Sequence, residues 1–192
     1  MRVVAGSARR TNLVAPKGLD TRPTGDMAKE NLFNILSETI RGTRFLDLFC
    51  GSGAIGLEAL SRGAKEAIFV EHAKPAIAAT MQNLQKTGLT ANAQILEMPV
   101  AKAIEKLATS GHKFDIIFMD PPYDTSLLVE TLAQLDTCNI LAEMGMIVAE
   151  TDSGLYEQAQ IIIPPPLELI DTRFYGRTCF LFFRLISSEV LT

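Results

Sequence analysis

The sequence predicts an α/β fold: seven strands in a mostly parallel sheet, helices on both faces, and a small β-hairpin in front. Two observations predict it. From residue 44 onward, short apolar runs alternate with segments of helical period, the repeat of a parallel sheet with crossover helices. In "LDLFCGSGAIGLEALSRG" (46–63), Gly51, Gly53 and Gly56 stand where a strand turns into a helix, which makes the sheet Rossmann-like.

The elements follow in order. Residues 2–5 and 12–15 are apolar runs separated by "GSARR" and read as a hairpin that ends at Pro16, Lys17 and Gly18. A helix starts at Thr24, its N-cap, with Asp26 in the first turn. Ala28, Leu32, Ile35, Leu36 and Ile40 keep helical spacing up to Gly42. Strand 44–49 and helix 53–62 come next, then strand 67–71. Helix 74–87 has Pro75 in its first turn, Ile77, Met81 and Leu84 on one face, and Gly88 as a stop. Strands at 93–97, 114–120 and 145–150 enclose helices near 99–109 and 126–136. Residues 166–173 and 178–185 close the sheet, and the "PPP" at 164–166 is a loop leading into them. The division expected is an N-terminal hairpin extension, 1–23, and one catalytic-type domain, 24–192.

Composition narrows the class. The chain has 192 residues, of which 47% are apolar and 21% charged, suiting one soluble domain. The N-terminus has no apolar core like that of a signal peptide, and no run is long enough for a membrane helix. Cys50, Cys138 and Cys179 are scattered and odd in number, so reduced thiols of a cytoplasmic protein are expected. His72 and His112 have no partners at metal-ligand spacing, so no metal is expected. Net charge is −4, yet residues 1–44 carry eight Lys/Arg against four acids. That basic segment on an acidic body suits either a phosphate-binding surface or a plain solvated face.

Ligands of such sheets bind beyond the carboxyl ends of the strands. Gly51 and Gly53 let backbone approach a ligand there. Glu71, twenty residues after Gly51, is placed to accept hydrogen bonds from ribose hydroxyls. These features serve NAD and S-adenosylmethionine alike. Asp47 tips the choice: an acid beside the loop repels a pyrophosphate but suits a sulfonium and an ammonium. Asp120, Pro121, Pro122 and Tyr123 ("DPPY") follow the fourth strand on the same edge. Two prolines remove two N–H donors and leave rigid carbonyl acceptors. The Asp120 carboxylate and the Pro121 carbonyl would accept both hydrogens of an exocyclic amine and aim its lone pair at a methyl carbon. Tyr123 offers a face on which a base can stack.

With "FVE", "DPPY" and the glycine loop, the chain resembles S-adenosylmethionine-dependent N-methyltransferases, the class I fold. "MRVVAGSARRTNLVAPKG", "TRPTGDMAKENLFNIL" and "RFYGRT" narrow the resemblance to the RsmD family, over nearly the whole chain. That resemblance implies methyl transfer from S-adenosyl-L-methionine to the exocyclic N2 of a guanine in 16S rRNA, with S-adenosyl-L-homocysteine as product. It implies that Asp47, Phe49, Gly51, Ser52, Gly53, Glu71 and His72 line the cofactor site. Asp120 to Tyr123 would hold the guanine amine. Arg22, Pro23 and Thr24 would lie near the reacting base, and Arg9 and Arg10 on the hairpin would meet RNA phosphate. The closing hairpin also carries the family's Tyr175 and Gly176, which serve equally as simple strand and turn residues. The partner implied is small-subunit rRNA or the assembling 30S particle, met by a monomer.

One departure stands out. Where the family has an acid followed by alanine for the adenine amine, this chain has Met98 and Pro99, so adenine would rest on apolar or backbone contacts. Three competitors stay open at this stage. An adenine-N6 methyltransferase would use the same DPPY chemistry. An NAD oxidoreductase would leave Asp47 and DPPY idle. A non-enzymatic RNA-binding protein with a relic site would follow from Met98.

Overall fold

Apolar periodicity resolves into the expected alternation. The structure, a computed structural model, describes residues 1–16, 25–122, 125–158, 163 and 165–186. In chain order the elements are α1 (Asp26–Ile35), β1 (Arg44–Leu48), α2 (Ala54–Ser61), β2 (Glu66–Glu71) and α3 (Lys74–Thr87). A 3₁₀ turn, Thr90–Asn92, precedes β3 (Ala93–Glu97), α4 (Val100–Thr109), β4 (Phe114–Met119) and α5 (Thr125–Cys138). β5 (Leu141–Asp152), α6 (Ser153–Gln158), β6 (Leu167–Tyr175) and β7 (Thr178–Leu185) complete the chain.

The sheet order is β3-β2-β1-β4-β5-β7-β6. Neighbours are parallel up to β5, while β7 runs antiparallel to both β5 and β6. The chain winds outward from β1 through β2 and β3, then returns to β4 on β1's other side. The crevice at the carboxyl ends of β1 and β4 is therefore the switch point where such sheets bind ligands. Alternate strand residues feed two cores. Leu46, Leu48, Ile117 and Met119 pack with Ile104, Leu107, Leu128 and Leu132 of α4 and α5. Phe45, Phe69, Ile116 and Phe118 pack on the other face with Leu32, Phe33, Leu57 and Leu60 of α1 and α2.

Several boundaries differ from the expectation, each for a local reason. The N-terminal hairpin narrows to one antiparallel bridge, Arg2–Asn12. The N–H groups of Val4 and Ala5 donate to the Glu58 carboxylate of α2, at 2.8 and 2.9 Å, rather than to a partner strand. α1 stops at Ile35, which is 40% exposed; Leu36 and Ile40 are buried in the turns after it. There the Thr39 hydroxyl donates to the Leu36 carbonyl, a local bond that competes with helix continuation. Thr24 lies outside the described residues, and Gly25 stands at the N-cap. On α3 the buried face carries Ile77 and Leu84 with Thr80 and Asn83, whereas Met81 is 42% exposed. β5 is longer than expected and crosses an irregularity opposite Phe114. α6 was not legible at all; its start is held by the Asp152 carboxylate, which accepts from the Gly154 N–H at 3.0 Å.

A buried ion cluster fastens the N-terminal segment. Glu58 is fully buried, 3.2 Å from the buried Lys29 ammonium and 2.8 Å from Arg62. Lys29 also donates to the Arg2 carbonyl. Ser61 completes the seam: its carbonyl accepts from Ser7 N–H at 2.8 Å and its hydroxyl from Ala8 N–H at 3.0 Å. Gly6 lies so close that a Cβ there would stand 1.8 Å from the Ser61 carbonyl oxygen. Removing one member of such a cluster strands the others in low dielectric. Glu58→Ala is therefore expected to cost about 3–5 kcal/mol, measured as a lower urea midpoint; a shift within error of wild type would contradict the cluster's role.

Candidate active site

At the switch point lies a cavity of about 660 Å³, a size that suits a ligand larger than a single base. Five carboxyl groups line it; Asp152 pairs with Arg177, and the other four, Glu71, Asp47, Asp120 and Glu150, stand at or near the ends of β2, β1, β4 and β5, which are neighbours in that order. Parallel strands in register bring their carboxyl ends to one edge, so the sheet itself gathers the acids.

The loop between β1 and α2 is built for close approach. Phe49, Gly51 and Gly53 all have positive φ, at 61°, 56° and 76°. For Phe49 that is a strained conformation of the kind that clusters at functional sites. Gly56 is needed for a different reason. A Cβ there would lie 2.4 Å from the Phe69 ring, and the open space lets its N–H reach Asp47 Oδ2 at 2.8 Å. α3 holds the loop from behind. The Thr80 hydroxyl donates to the Gly51 carbonyl at 2.8 Å. The Asn83 amide donates to the Ser52 carbonyl at 2.9 Å and to the Val14 carbonyl at 3.0 Å, and it accepts from Val14 N–H at 2.7 Å. Asn83 thus ties the N-terminal segment to the glycine loop.

Each acid meets the crowding differently. Asp47 is 1% exposed. Burial raises its carboxyl to about 7, the Gly56 hydrogen bond pulls it down, and the Glu71 charge adds to the rise. Glu71 accepts from three backbone amides: Gly51 at 3.1 Å, His72 at 2.7 Å and Ala73 at 2.8 Å. Asp120 follows β4, and burial, then the charges of Glu150 and Asp47, push its carboxyl well above the usual range. Cys50, buried against Thr80, has its thiol raised mainly by burial, which makes it a poor nucleophile.

Most of the residues expected from sequence meet here. Asp47, Phe49, Gly51, Ser52, Glu71, His72, Asp120, Pro121 and Pro122 all line the cavity. Gly53 stands behind the lining as the residue before α2. Met98 packs against the α4–α5 core and Pro99 precedes α4, and from that stretch Val100 lines the cavity instead. Arg9 and Arg10 are exposed at the hairpin tip, beside the carboxyl end of α2 rather than at the cavity. Tyr123, Arg22, Pro23 and Thr24 lie outside the described residues. Sequence reasoning passed over Glu150, Tyr175 as a lining residue, and Arg177, which pairs with Asp152 at 3.0 Å on the rim. Glu150 ends the run "GMIVAE", and the rule that picked out Asp47 and Glu71, an acid at a strand's carboxyl end, would have found it. Among the described residues no group of three or more His, Cys, Asp or Glu could hold a metal ion, and no helix is long and apolar enough to cross a membrane.

The chain matches the family model described as Conserved hypothetical protein 95 over residues 1–184. YlbH of Bacillus subtilis is 42% identical over 152 residues, 79% of this chain and 83% of that protein. Ribosomal RNA small subunit methyltransferase D of Escherichia coli K12 is 37% identical over 152 residues, 79% of this chain and 75% of that protein. The solved structure of yhhF from Escherichia coli superposes with a TM-score of 0.83 at 31% identity, covering 96% of this chain and 97% of that one.

The state of Asp47 has a pH signature. The folded protein keeps this proton up to about pH 7, while the unfolded chain releases it near 3.8. The native state thus binds more protons between those values, and stability falls as pH rises through that window. Asp47→Asn removes the effect. Its stability relative to wild type is expected to climb between pH 4 and 7 and level off above, by on the order of 3 kcal/mol. Denaturant titrations at several pH values check this, and a difference independent of pH would contradict the buried carboxyl.

Proposed function

The chain belongs to the RsmD family, and from that premise we propose that it methylates the exocyclic N2 of a guanine in small-subunit rRNA with S-adenosyl-L-methionine as donor. The observation that carries the reading is the edge of four acids around one cavity, with Asp120-Pro121-Pro122 beside the glycine loop. An anionic pyrophosphate would meet Asp47 and Glu71 as like charges, whereas a ligand with a sulfonium and an ammonium neutralises them. The residues present fit that donor: Asp47 for its positive charge, the loop backbone at Gly51 and Ser52 for close approach, Glu71 for ribose hydroxyls. Two of the three amides on Glu71 take Oε1 and one takes Oε2, which leaves Oε2 a lone pair for a ribose hydroxyl. Phe49, His72 and Val100 also line the cavity and would give adenine apolar and ring contacts in place of an acid after β3.

When bound, S-adenosylmethionine supplies an electrophilic methyl group on sulfur and leaves as S-adenosylhomocysteine. The protein's part is to present the amine. Asp120 accepts one hydrogen and the Pro121 carbonyl the other, which turns the nitrogen lone pair away from both. As the N–CH₃ bond forms, the nitrogen becomes cationic, and the Asp120 carboxylate stabilises that charge and takes the proton. Tyr123 stacks on the base in this reading, and Arg22, Pro23 and Thr24 lie near it. Residues 1–23, with Arg9 and Arg10, meet RNA phosphate, and residues 24–192 form the transferase body, a monomer acting in the cytoplasm. The net charge of −4 suits a substrate whose docking surface comes partly from ribosomal proteins, so the assembling subunit is favoured over naked RNA.

Labelled methyl transfer to undermodified small subunits, followed by nucleoside identification, tests the reading. N2-methylguanosine is expected; N6-methyladenosine, or no transfer, would overturn it. Asp120→Ala should lower kcat by roughly 10²–10³-fold, and retained activity would remove Asp120 from the chemistry. Because burial and Glu150 hold the Asp120 carboxyl up, wild-type kcat/KM should fall on acidification at a pH well above the ordinary carboxylate range.

A further inference from the structure

Glu150 has no part in the chemistry above, yet it stands beside it. It ends the buried run of β5, is 9% exposed and lines the same cavity. β4 and β5 pair with Met119 opposite Ala149, so Asp120 and Glu150 leave adjacent parallel strands at the same level. The Thr178 hydroxyl on β7 lies 3.4 Å from Glu150 Oε1, at hydrogen-bonding range. Of the charges acting on Asp120, that of Glu150 comes first. Two carboxyls at such a place oppose each other's ionisation, a cost that an apolar side chain at 150 would avoid.

A guanine offers donors that such a pair can accept, since each carboxylate oxygen takes more than one. Its Watson–Crick edge carries two donor groups side by side, the N2 amine and N1–H. We propose that Glu150 is a specificity-determining residue that accepts the N1–H of the target guanine while Asp120 and Pro121 hold its N2 amine. The assignment rests on the guanine-N2 reading above. Adenine carries an amine beside an N1 lone pair, and that lone pair would face the Glu150 carboxylate with no hydrogen between them. 2-Aminopurine poses the question most sharply, because it keeps the 2-amino group and has no N1–H. A site that hydrogen-bonds an N–H rejects an analogue without it far more strongly than a merely shaped pocket does, here because the analogue's N1 lone pair would face the carboxylate.

Small subunits reconstituted with rRNA bearing either guanine or 2-aminopurine at the target position provide the test. Wild type should favour guanine by about 10³-fold or more in kcat/KM. Glu150→Gln should narrow that preference by at least roughly ten-fold, because its amide accepts from guanine N1–H or donates to 2-aminopurine N1. Thr178→Val, which removes the hydroxyl beside the carboxylate, should narrow it in the same direction by less, and serves if Glu150→Gln does not fold. Equal use of both bases by wild type, or an unchanged preference in the folded Glu150→Gln protein, would overturn the assignment. Failure of the underlying reading looks different: guanine subunits would then yield no N2-methylguanosine at all.

Discussion

Four carboxyl groups at or near the ends of four neighbouring strands have to share one cavity, and much of the structure around them is a response to that crowding. Like charges in low dielectric are expensive. Asp47 answers with the Gly56 amide and a proton held up to about pH 7. Glu71 answers with three backbone amides, two at the turn into α3 and one from Gly51 in the glycine loop. Asp120 answers with a carboxyl pushed well upward. The glycine at 56 exists because the Phe69 ring and the Asp47 carboxyl both need the volume a side chain would take. An acidic, proton-rich cavity is the opposite of a phosphate cradle, although it is written with the same three glycines.

The second constraint is mechanical. α2 begins at the glycine loop and ends at Ser61, where the N-terminal segment docks through Glu58, Ser61 and Gly6. Asn83 on α3 fastens that segment's other end, at Val14, to Ser52. The hairpin is thus held at both ends of the helix that starts at the loop. Burying Lys29 and Glu58 together is costly in isolation, and the backbone amides of Val4 and Ala5 complete the carboxylate's hydrogen bonds. A basic surface carried by residues 1–16 would be rigidly placed relative to the cavity.

Strand and helix order was legible because buried parallel strands are short apolar runs and the intervening helices keep their period. The reversed last strand followed from the two adjacent runs near 170 and 180. The N-terminal hairpin does pair, through Met1–Val3 and Thr11–Leu13, but it is shorter than its apolar runs because the Val4 and Ala5 amides go to Glu58, a residue more than fifty positions away and invisible to local pattern. Helix α6 is a short polar turn set by Asp152, with no apolar stripe to announce it. In the site, Asp47, Glu71 and Asp120 could be read because each closes an apolar run. Which side chain after β3 reaches the cavity depends on how α4 packs, and there Val100 stands where Met98 and Pro99 were expected.

Burial holds a proton on Asp47 up to about pH 7, so a cation bound beside that carboxyl is expected to draw the proton off. Calorimetric titration of S-adenosylmethionine in buffers of different ionisation enthalpy counts the protons exchanged on binding. With the Asp47 carboxyl at about 7, release of about half a proton or more is expected at pH 7 and little above pH 9. Binding with no proton release at pH 7, or with proton uptake, would contradict it.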